Sequence, residues 1–308
     1  MSRIDILMAT YNGAQYIDKQ LLSIIAQTHT DWQLFIHDDG SNDNTIAIIK
    51  KFSKIDNRIS LLKDDYSFRE AGLHFMYMLQ FANSPFICFC DQDDIWLENK
   101  LECMLSVIES KDNQIPQVVF SDAYLFHSTT NLINGHLLFT KPYSLKEILF
   151  TNGGIHGSAS IFNQAMKKSI DRNYSYISMH DHILTLAGCS FGEITYIDKK
   201  LFLYRQHQKN VTGNMEISIF KRFVKAFNPS RKSPTLLSNT IKGIEAFAIA
   251  HKTDLSENDK SIINDFLSLS QFNILRIAWK VYRKGYSINN SRMQLLIKIL
   301  TRKFIDVK

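Results

Sequence analysis

Asp91-Gln92-Asp93-Asp94 places three carboxylates within four residues, directly after the apolar run Pro85–Cys90. Carboxylates crowded onto one tight turn repel one another unless a cation joins them. Hard divalent ions such as Mg²⁺ and Mn²⁺ take few protein carboxylates and complete their shells with phosphate oxygens and water. The cluster therefore reads as a metal site for a phosphorylated substrate, with Asp91 and Asp93 as its candidate ligands. A second acidic pair lies in Asp38-Asp39-Gly40-Ser41. One of its carboxylates could accept the imide N–H of uracil or thymine, or the segment could simply turn the chain and cap a helix. Thr10-Tyr11-Asn12-Gly13 offers backbone groups and an aromatic face to a base, and Gly13 permits close backbone approach. In Tyr204-Arg205-Gln206-His207, Arg205 could fork onto a diphosphate, and His207 could approach the same group or the metal. The plainer reading of that segment is a surface arginine with a structural histidine. Ser178–Leu184 carries His180, Asp181 and His182. The two histidines are two positions apart on a helix and point away from each other, which argues against zinc. Gly157-Ser158-Ala159-Ser160 is not G-x-S-x-G, so a serine hydrolase is not indicated.

These residues need a scaffold that brings them together, and the first 110 residues supply its pattern. Strand-like runs at Ile4–Ala9, Gln33–His37, Arg58–Leu62 and Pro85–Cys90 alternate with helical spacing at Gln15–Gln27, Asp43–Lys54, Glu70–Asn83 and Leu97–Ser110. Ser41 or Asn42 is available to cap the second helix. This order predicts an α/β fold with a parallel sheet covered by helices on both faces. Ligands bind such sheets beyond the carboxyl ends of the strands. Strands one, two and four end in the Thr10, Asp38 and Asp91 motifs, so the three must line one edge. Residues 115–215 mix short strands with glycine-rich turns. Beyond Asn228–Pro234 the chain turns helical, with apolar spacing over Ile241–His251, Glu257–Arg283 and Ser291–Phe304.

A chain of 308 residues with 45% apolar content can bury one large core with an appendage, or two small domains. The amino terminus lacks a charged stretch followed by a long apolar run, so no signal peptide is expected, and no run is long enough for a spanning helix. The four cysteines form no C-x-x-C pair and read as buried reduced thiols, which suggests a cytoplasmic protein. The net charge of +6 conceals an asymmetry. Residues 217–308 carry 17 Lys and Arg against 6 Asp and Glu, while the rest carries 19 against 24. A basic region of this kind can meet an anionic lipid surface. Aromatics are not spaced there for base stacking, so no nucleic acid is expected. The same charges could equally form a solvated helical face.

The stretches "ILMATYNGAQYIDKQLLSIIAQTH", "LFIHDDGSNDNT" and "FICFCDQDDIWLENKLE" occur in this order. On them the chain resembles glycosyltransferase family 2, whose members invert and have the GT-A fold, a Rossmann-like fold for nucleotide-diphospho-sugars. The resemblance covers roughly residues 3–215. "DQDDIW" and "YRQHQKNVTG" are most similar to rhamnosyltransferase-type members that build bacterial surface polysaccharides. The resemblance implies that Thr10, Tyr11 and Asp39, with Asn12 and Asp38 beside them, hold the nucleobase. It implies Asp91 at ribose or phosphate, Asp93 on Mn²⁺ or Mg²⁺, and Asp94, Arg205 and His207 at the nucleotide-sugar. It also implies Gly157, Ser158 and His180 on the acceptor side. The family's general base is an acidic residue opening a late helix, and Asp181 occupies that place. His180 stands where a Glu is commoner. The Arg69-Glu70-Ala71-Gly72 stretch matches a donor-side loop loosely.

The expected reaction is transfer of one hexose or deoxyhexose from a UDP- or dTDP-sugar to a hydroxyl of a glycan acceptor. An undecaprenyl-diphosphate-linked acceptor would put the protein at the inner face of the plasma membrane. The expected layout is a catalytic domain over 1–215 and a basic helical region over 216–308. A sugar-nucleotide pyrophosphorylase would share the sheet and the metal carboxylates, but Thr10-Tyr11-Asn12-Gly13 is not its glycine-rich, basic loop. A non-catalytic membrane-binding protein would need no three ordered polar motifs.

Overall fold

A computed structural model describes residues 2–64, 66–137, 141, 144–207 and 234–305. Strands β1 (Ile4–Thr10), β2 (Trp32–Asp38), β3 (Ile59–Leu61) and β4 (Phe86–Asp91) form the parallel half of one sheet, in the order β3-β2-β1-β4. Helices α1 (Ile17–Ile25), α2 (Thr45–Ile55) and α3 (Ala71–Met78) make the connections. The alternation read from the sequence is thus realised, with trimmed ends. Both faces of these strands are buried, and the side chains alternate between two cores. Ile6, Met8, Cys88 and Cys90 pack with α1, α2 and α4 (Lys100–Glu109), while Leu7, Ile87 and Phe89 face the other way.

Beyond β4 the sheet becomes mixed. The strands are β5 (Ile95–Trp96), β6 (Gln117–His127), β7 (Leu132–Asn134), β8 (Ser160–Asn163) and β9 (Glu193–Gln206). β8 runs antiparallel between β4 and β6, β9 lies parallel to β6, and β5 pairs antiparallel with β9. The last pairing sets Ile95 opposite Leu203 and so brings the acidic turn beside Arg205 and His207. Helices α5 (Leu145–Ile148), α6 (Gln164–Ile170) and α7 (His180–Phe191) follow.

Four helices close the described chain: α8 (Ser238–Ala250), α9 (Glu257–Leu267), α10 (Ile274–Lys284) and α11 (Arg292–Thr301). Phe247, Phe266, Val281 and Leu295 share one apolar cluster with Leu7, Phe89 and Phe162 of the sheet, so these helices are packed on the sheet's core. The single helix expected over Glu257–Arg283 is broken. A 3₁₀ turn at Ser268–Gln271 ends α9, and Asn273 starts α10 by accepting the N–H of Arg276 at 3.0 Å. The cap expected from Ser41 or Asn42 is also absent: Asp43 instead accepts the Thr45 N–H at 3.0 Å. The expected boundary at 215–216 and the segment 208–213 of "YRQHQKNVTG" lie outside the described residues. No described helix is long and apolar enough to cross a membrane.

Candidate active site

Parallel pairing alone aligns the first two motifs. Thr10 is opposite Asp38, and Ala9 is opposite Asp91. Hydrogen bonds then join the loops. The Asp38 carboxylate accepts from Thr10 Oγ1 at 2.7 Å and from both N and Oγ of Ser41 at 2.7 Å. Asn12 adopts a left-handed φ of 47° while its Oδ1 accepts the Asn42 N–H at 2.9 Å and its N–H reaches Ser41 Oγ at 2.8 Å. Asp38 thus ties the ends of β1 and β2, and is engaged before any base arrives. Asp39 is 6% exposed and accepts the N–H groups of Phe68 and Arg69 at 2.5 and 2.7 Å. Tyr11 stands out at 54% exposure, a free aromatic face beside them.

Gln92 was not singled out from the sequence, yet it links the first motif to the third. Its side-chain amide pairs with the backbone of Tyr11 in both directions, each bond 3.0 Å. A Cβ on Gly13 would collide with that amide. The close approach that Gly13 permits is therefore to Gln92. The legible signal was an uncharged residue kept among three aspartates.

The acidic turn separates into exposed and buried groups. Asp93 Oδ2 lies 2.6 Å from His207 Nε2, and the Arg205 Nε–H donates to the Asp93 carbonyl at 2.6 Å. His207 stacks on Tyr16 with centroids 4.8 Å apart. Asp91 keeps a third of its side chain open to solvent, and burial of its inner part, then Asp93, raises its pKa. Asp94 corrects an expectation. At 0% exposure it has no surface to offer a nucleotide-sugar. Its carboxylate accepts from Ser158 Oγ at 2.9 Å and from the Arg205 N–H at 3.2 Å, and burial holds its pKa well above the usual carboxylate range. It is a pedestal under the turn. Ser158, 2% exposed, is the other half of that pedestal rather than an acceptor contact. Arg205 is likewise not a surface group: it is 3% exposed, beside Tyr16 and Phe126.

Lys100 supplies the countercharge beneath. It is fully buried, donates its Nζ to the Ser158 carbonyl, and lies 3.7 Å from the Trp96 ring centroid. Burial lowers its pKa, against the opposing pull of the Cys88 and Cys90 thiols and of Asp94 and Asp91. In sequence it looks like a solvated helical lysine. The available signal was its place at the start of the helix that follows the acidic turn.

Asp181 sits in the first turn of α7. Burial, and then the charge of Asp91, push its carboxyl from the usual 3.8 up to about 7. Its Oδ1 is buried with no hydrogen-bond partner. A Cβ on Gly154 would collide with the Asp181 carbonyl, so the loop before Gly157 lies directly against this turn. His180, expected on the acceptor side, is a buried ring beside Gly157 of that same set. It is 5% exposed, with its ring 4.1 Å from that of Phe75 and 4.7 Å from that of Phe89, and it is wedged against Gly157. It shapes the loop from below. His156, unremarked in the sequence, fills the space above: its Nδ1 is 3.1 Å from Ser158 Oγ and 4.0 Å from Asp91 Oδ2.

One α/β sheet places an exposed aromatic and an acidic turn at the ends of its strands, with the raised Asp181 carboxyl close enough to feel the charge of Asp91, and solved structures share its fold. The first 349 residues of Staphylococcus aureus TarS, in complex with UDP-GlcNAc, align over 97% of this chain and 79% of that one, with a TM-score of 0.60 and 18% identity. The mannosyltransferase PcManGT of Pyrobaculum calidifontis, in complex with GDP-Man and Mn²⁺, aligns over 97% and 86%, with a TM-score of 0.51 and 12% identity. The fold is GT-A. The family model "Glycosyl transferase family 2" matches residues 5–174, more than half the chain, and the protein belongs to that family. Among curated relatives, the dTDP-rhamnosyl transferase RfbG of Shigella flexneri is 29% identical over 90% of this chain and 94% of its own. The UDP-Glc:alpha-D-GlcNAc-diphosphoundecaprenol beta-1,3-glucosyltransferase WfgD of Escherichia coli is 26% identical over 81% and 96%.

Among the described residues, no three His, Cys, Asp or Glu side chains converge as a ready-made metal cage. Mg²⁺-type ions need no such cage; one or two carboxylates suffice when substrate phosphates complete the shell. Asp93 and Asp91, the latter raised by burial and then by the charge of Asp93, fit that requirement, with the His207 imidazole beside them.

Proposed function

We propose that this enzyme transfers a single hexose or deoxyhexose from a UDP- or dTDP-sugar to a hydroxyl of an undecaprenyl-diphosphate-linked glycan, with inversion, during bacterial polysaccharide or O-antigen synthesis. The names of WfgD and RfbG support the donor and acceptor classes. Transfer is assigned to residues 1–215, in the cytoplasm at the inner face of the plasma membrane.

The observation that carries the mechanism is Asp181. A carboxyl near 7, with one oxygen buried and unpartnered, is poised to take a proton at neutral pH. In a single displacement, Asp181 accepts the proton of the acceptor hydroxyl. The acceptor oxygen bonds to the anomeric carbon as the bond from that carbon to the phosphate oxygen breaks, and the nucleoside diphosphate leaves. Tyr11 stacks on the base, and Asp39 accepts its imide N–H with lone pairs left over from Phe68 and Arg69. Arg205 holds the acidic turn in place through the Asp93 carbonyl. Asp91 and Asp93, with His207, would hold Mn²⁺ or Mg²⁺, which neutralises charge on the leaving diphosphate.

Asp181→Asn keeps the shape and removes the proton acceptor. Transfer to a lipid-linked acceptor is expected to fall at least ~10²-fold, with nucleotide affinity by calorimetry unchanged. Turnover near the wild-type rate would remove Asp181 from this role.

A further inference from the structure

The last two helices carry a second apolar face that the core does not use. On α10, Ile277 and Val281 are buried, whereas Leu275, Trp279 and Tyr282 are 72%, 57% and 55% exposed. On α11, Leu295 and Ile299 are buried, whereas Met293, Ile297 and Leu300 are 64%, 55% and 53% exposed. Both outward sets repeat at i, i+4 and i+7, which makes each a stripe on the side opposite the core. Seven of the eighteen large apolar side chains exposed among the described residues lie on these two helices. That is concentration, not the scatter normal on a soluble surface.

The charge around the stripes selects the partner. Residues 266–305 contain eight Lys and Arg and no Asp or Glu. On α10, Arg276, Lys280 and Arg283 fall along one flank of the stripe at helical spacing, and the Arg283 guanidinium lies 5.2 Å from the Trp279 ring centroid. A tryptophan and a tyrosine amid long aliphatics, edged by Arg276, Lys280 and Arg283, match the interface of an anionic bilayer, and the neighbouring Asp265 carboxylate is already paired to Lys284 at 2.6 Å.

The pair is also tied to the catalytic side. The Asn290 N–H donates to Glu147 Oε1 at 2.9 Å, Tyr286 meets Phe150 edge-to-face at 5.3 Å, and Lys298 Nζ reaches the Phe150 carbonyl at 3.4 Å. Phe150 precedes Gly154 by four residues, a reach of at most roughly 14 Å, and Gly154 lies against the Asp181 turn. We infer that the outer face of α10 and α11 docks on anionic lipid and holds the acceptor side of the active site toward the bilayer. The inference deepens the lipid-linked acceptor proposed above and rests on it for its use.

Vesicles report on this face directly. Trp32 and Trp96 are 1% and 3% exposed, so a change in tryptophan emission on binding reads Trp279. The intact protein should sediment with phosphatidylglycerol vesicles but not phosphatidylcholine vesicles, with a blue-shifted emission, and should be released by high salt. The double variant Leu275→Glu/Leu300→Glu should keep its thermal midpoint, since both side chains are exposed, and lose binding at least roughly tenfold. Three results would overturn the inference. These are a wild type that stays in the supernatant at low salt, a double variant that binds as well as the wild type, or light scattering that shows a dimer dissolved by the double variant, which makes the face a contact between copies. Transfer to a short-chain, water-soluble acceptor separates the two readings. The double variant should match the wild type there, and absence of transfer by both would sink the catalytic reading while leaving the vesicle result standing.

Discussion

At the carboxyl ends of β1 and β2, the polar side chains already hold one another. Thr10, Asp38 and Ser41 are mutually bonded, Asn12 is pinned to Asn42, Asp39 holds Phe68 and Arg69, and Gln92 is paired to Tyr11. At the start of α7 the opposite is true. Asp181 Oδ1, both ring nitrogens of His180 and Nε2 of His182 are buried with no hydrogen-bond partner among the described residues. Burying such groups unpaired costs about 1–3 kcal/mol each. The first region keeps its shape by its own hydrogen bonds, while the second leaves the Asp181 carboxyl oxygen unpaired at the start of its helix. A site that must grip one molecule and react with another has reason to be built this way.

The largest test of this contrast concerns the acidic turn. Asp93→Ala should abolish Mn²⁺-dependent binding of UDP or dTDP, measured by calorimetry, with the circular dichroism spectrum unchanged. Unaltered affinity would show that the turn only shapes the loop. Next is the pH profile. With Asp181 near 7 and required as carboxylate, kcat/KM should fall tenfold per pH unit below about 7 and level off above it. A flat profile between pH 5 and 8 would count against the unpaired carboxyl as the base. Gly13→Ala should push the Gln92 amide off Tyr11 and weaken nucleotide binding by roughly tenfold, the worth of one or two lost hydrogen bonds. Unchanged affinity would mean the wiring is dispensable.

The smallest effect concerns stability. The folded-state pKa of Asp181 is raised from 3.8 to about 7, so the folded protein binds this proton more tightly than the unfolded chain. Ionising Asp181 therefore costs stability progressively as pH rises from about 4 to about 7, and no more beyond. Asp181→Asn escapes that loss. Its melting temperature should exceed the wild type's by a few degrees at pH 8, and the gap should close near pH 4. An equal gap at both pH values would mean the difference is packing, not charge.

The strand-end motifs were legible because parallel pairing puts the ends of consecutive strands on one edge, whatever the packing details. Thr10, Asp38 and Asp91 needed nothing more than that rule. What the sequence hid was depth. Asp94 and Ser158 carry polar side chains suited to a substrate, but burial decides their use, and burial comes from β5 pairing with β9 across more than a hundred residues. Lys100 escaped notice for the same reason: a lysine in a helical pattern reads as solvated until the sheet closes over it. The break between α9 and α10 was hidden differently. Apolar spacing persists across Ser268–Asn273, and only the cap geometry at Asn273 shows that a new helix begins.

The amide of Gln92 has a thermodynamic consequence. Because it clasps Tyr11 from within the acidic turn, the order of one loop depends on the order of the other. Linkage is reciprocal: whatever tightens the Tyr11 loop must favour binding at the turn by the same factor that occupancy of the turn favours binding at Tyr11. Two loops merely lying side by side would contribute additively. Here even the two halves of a molecule long enough to touch both, supplied separately, should each bind more tightly in the presence of the other.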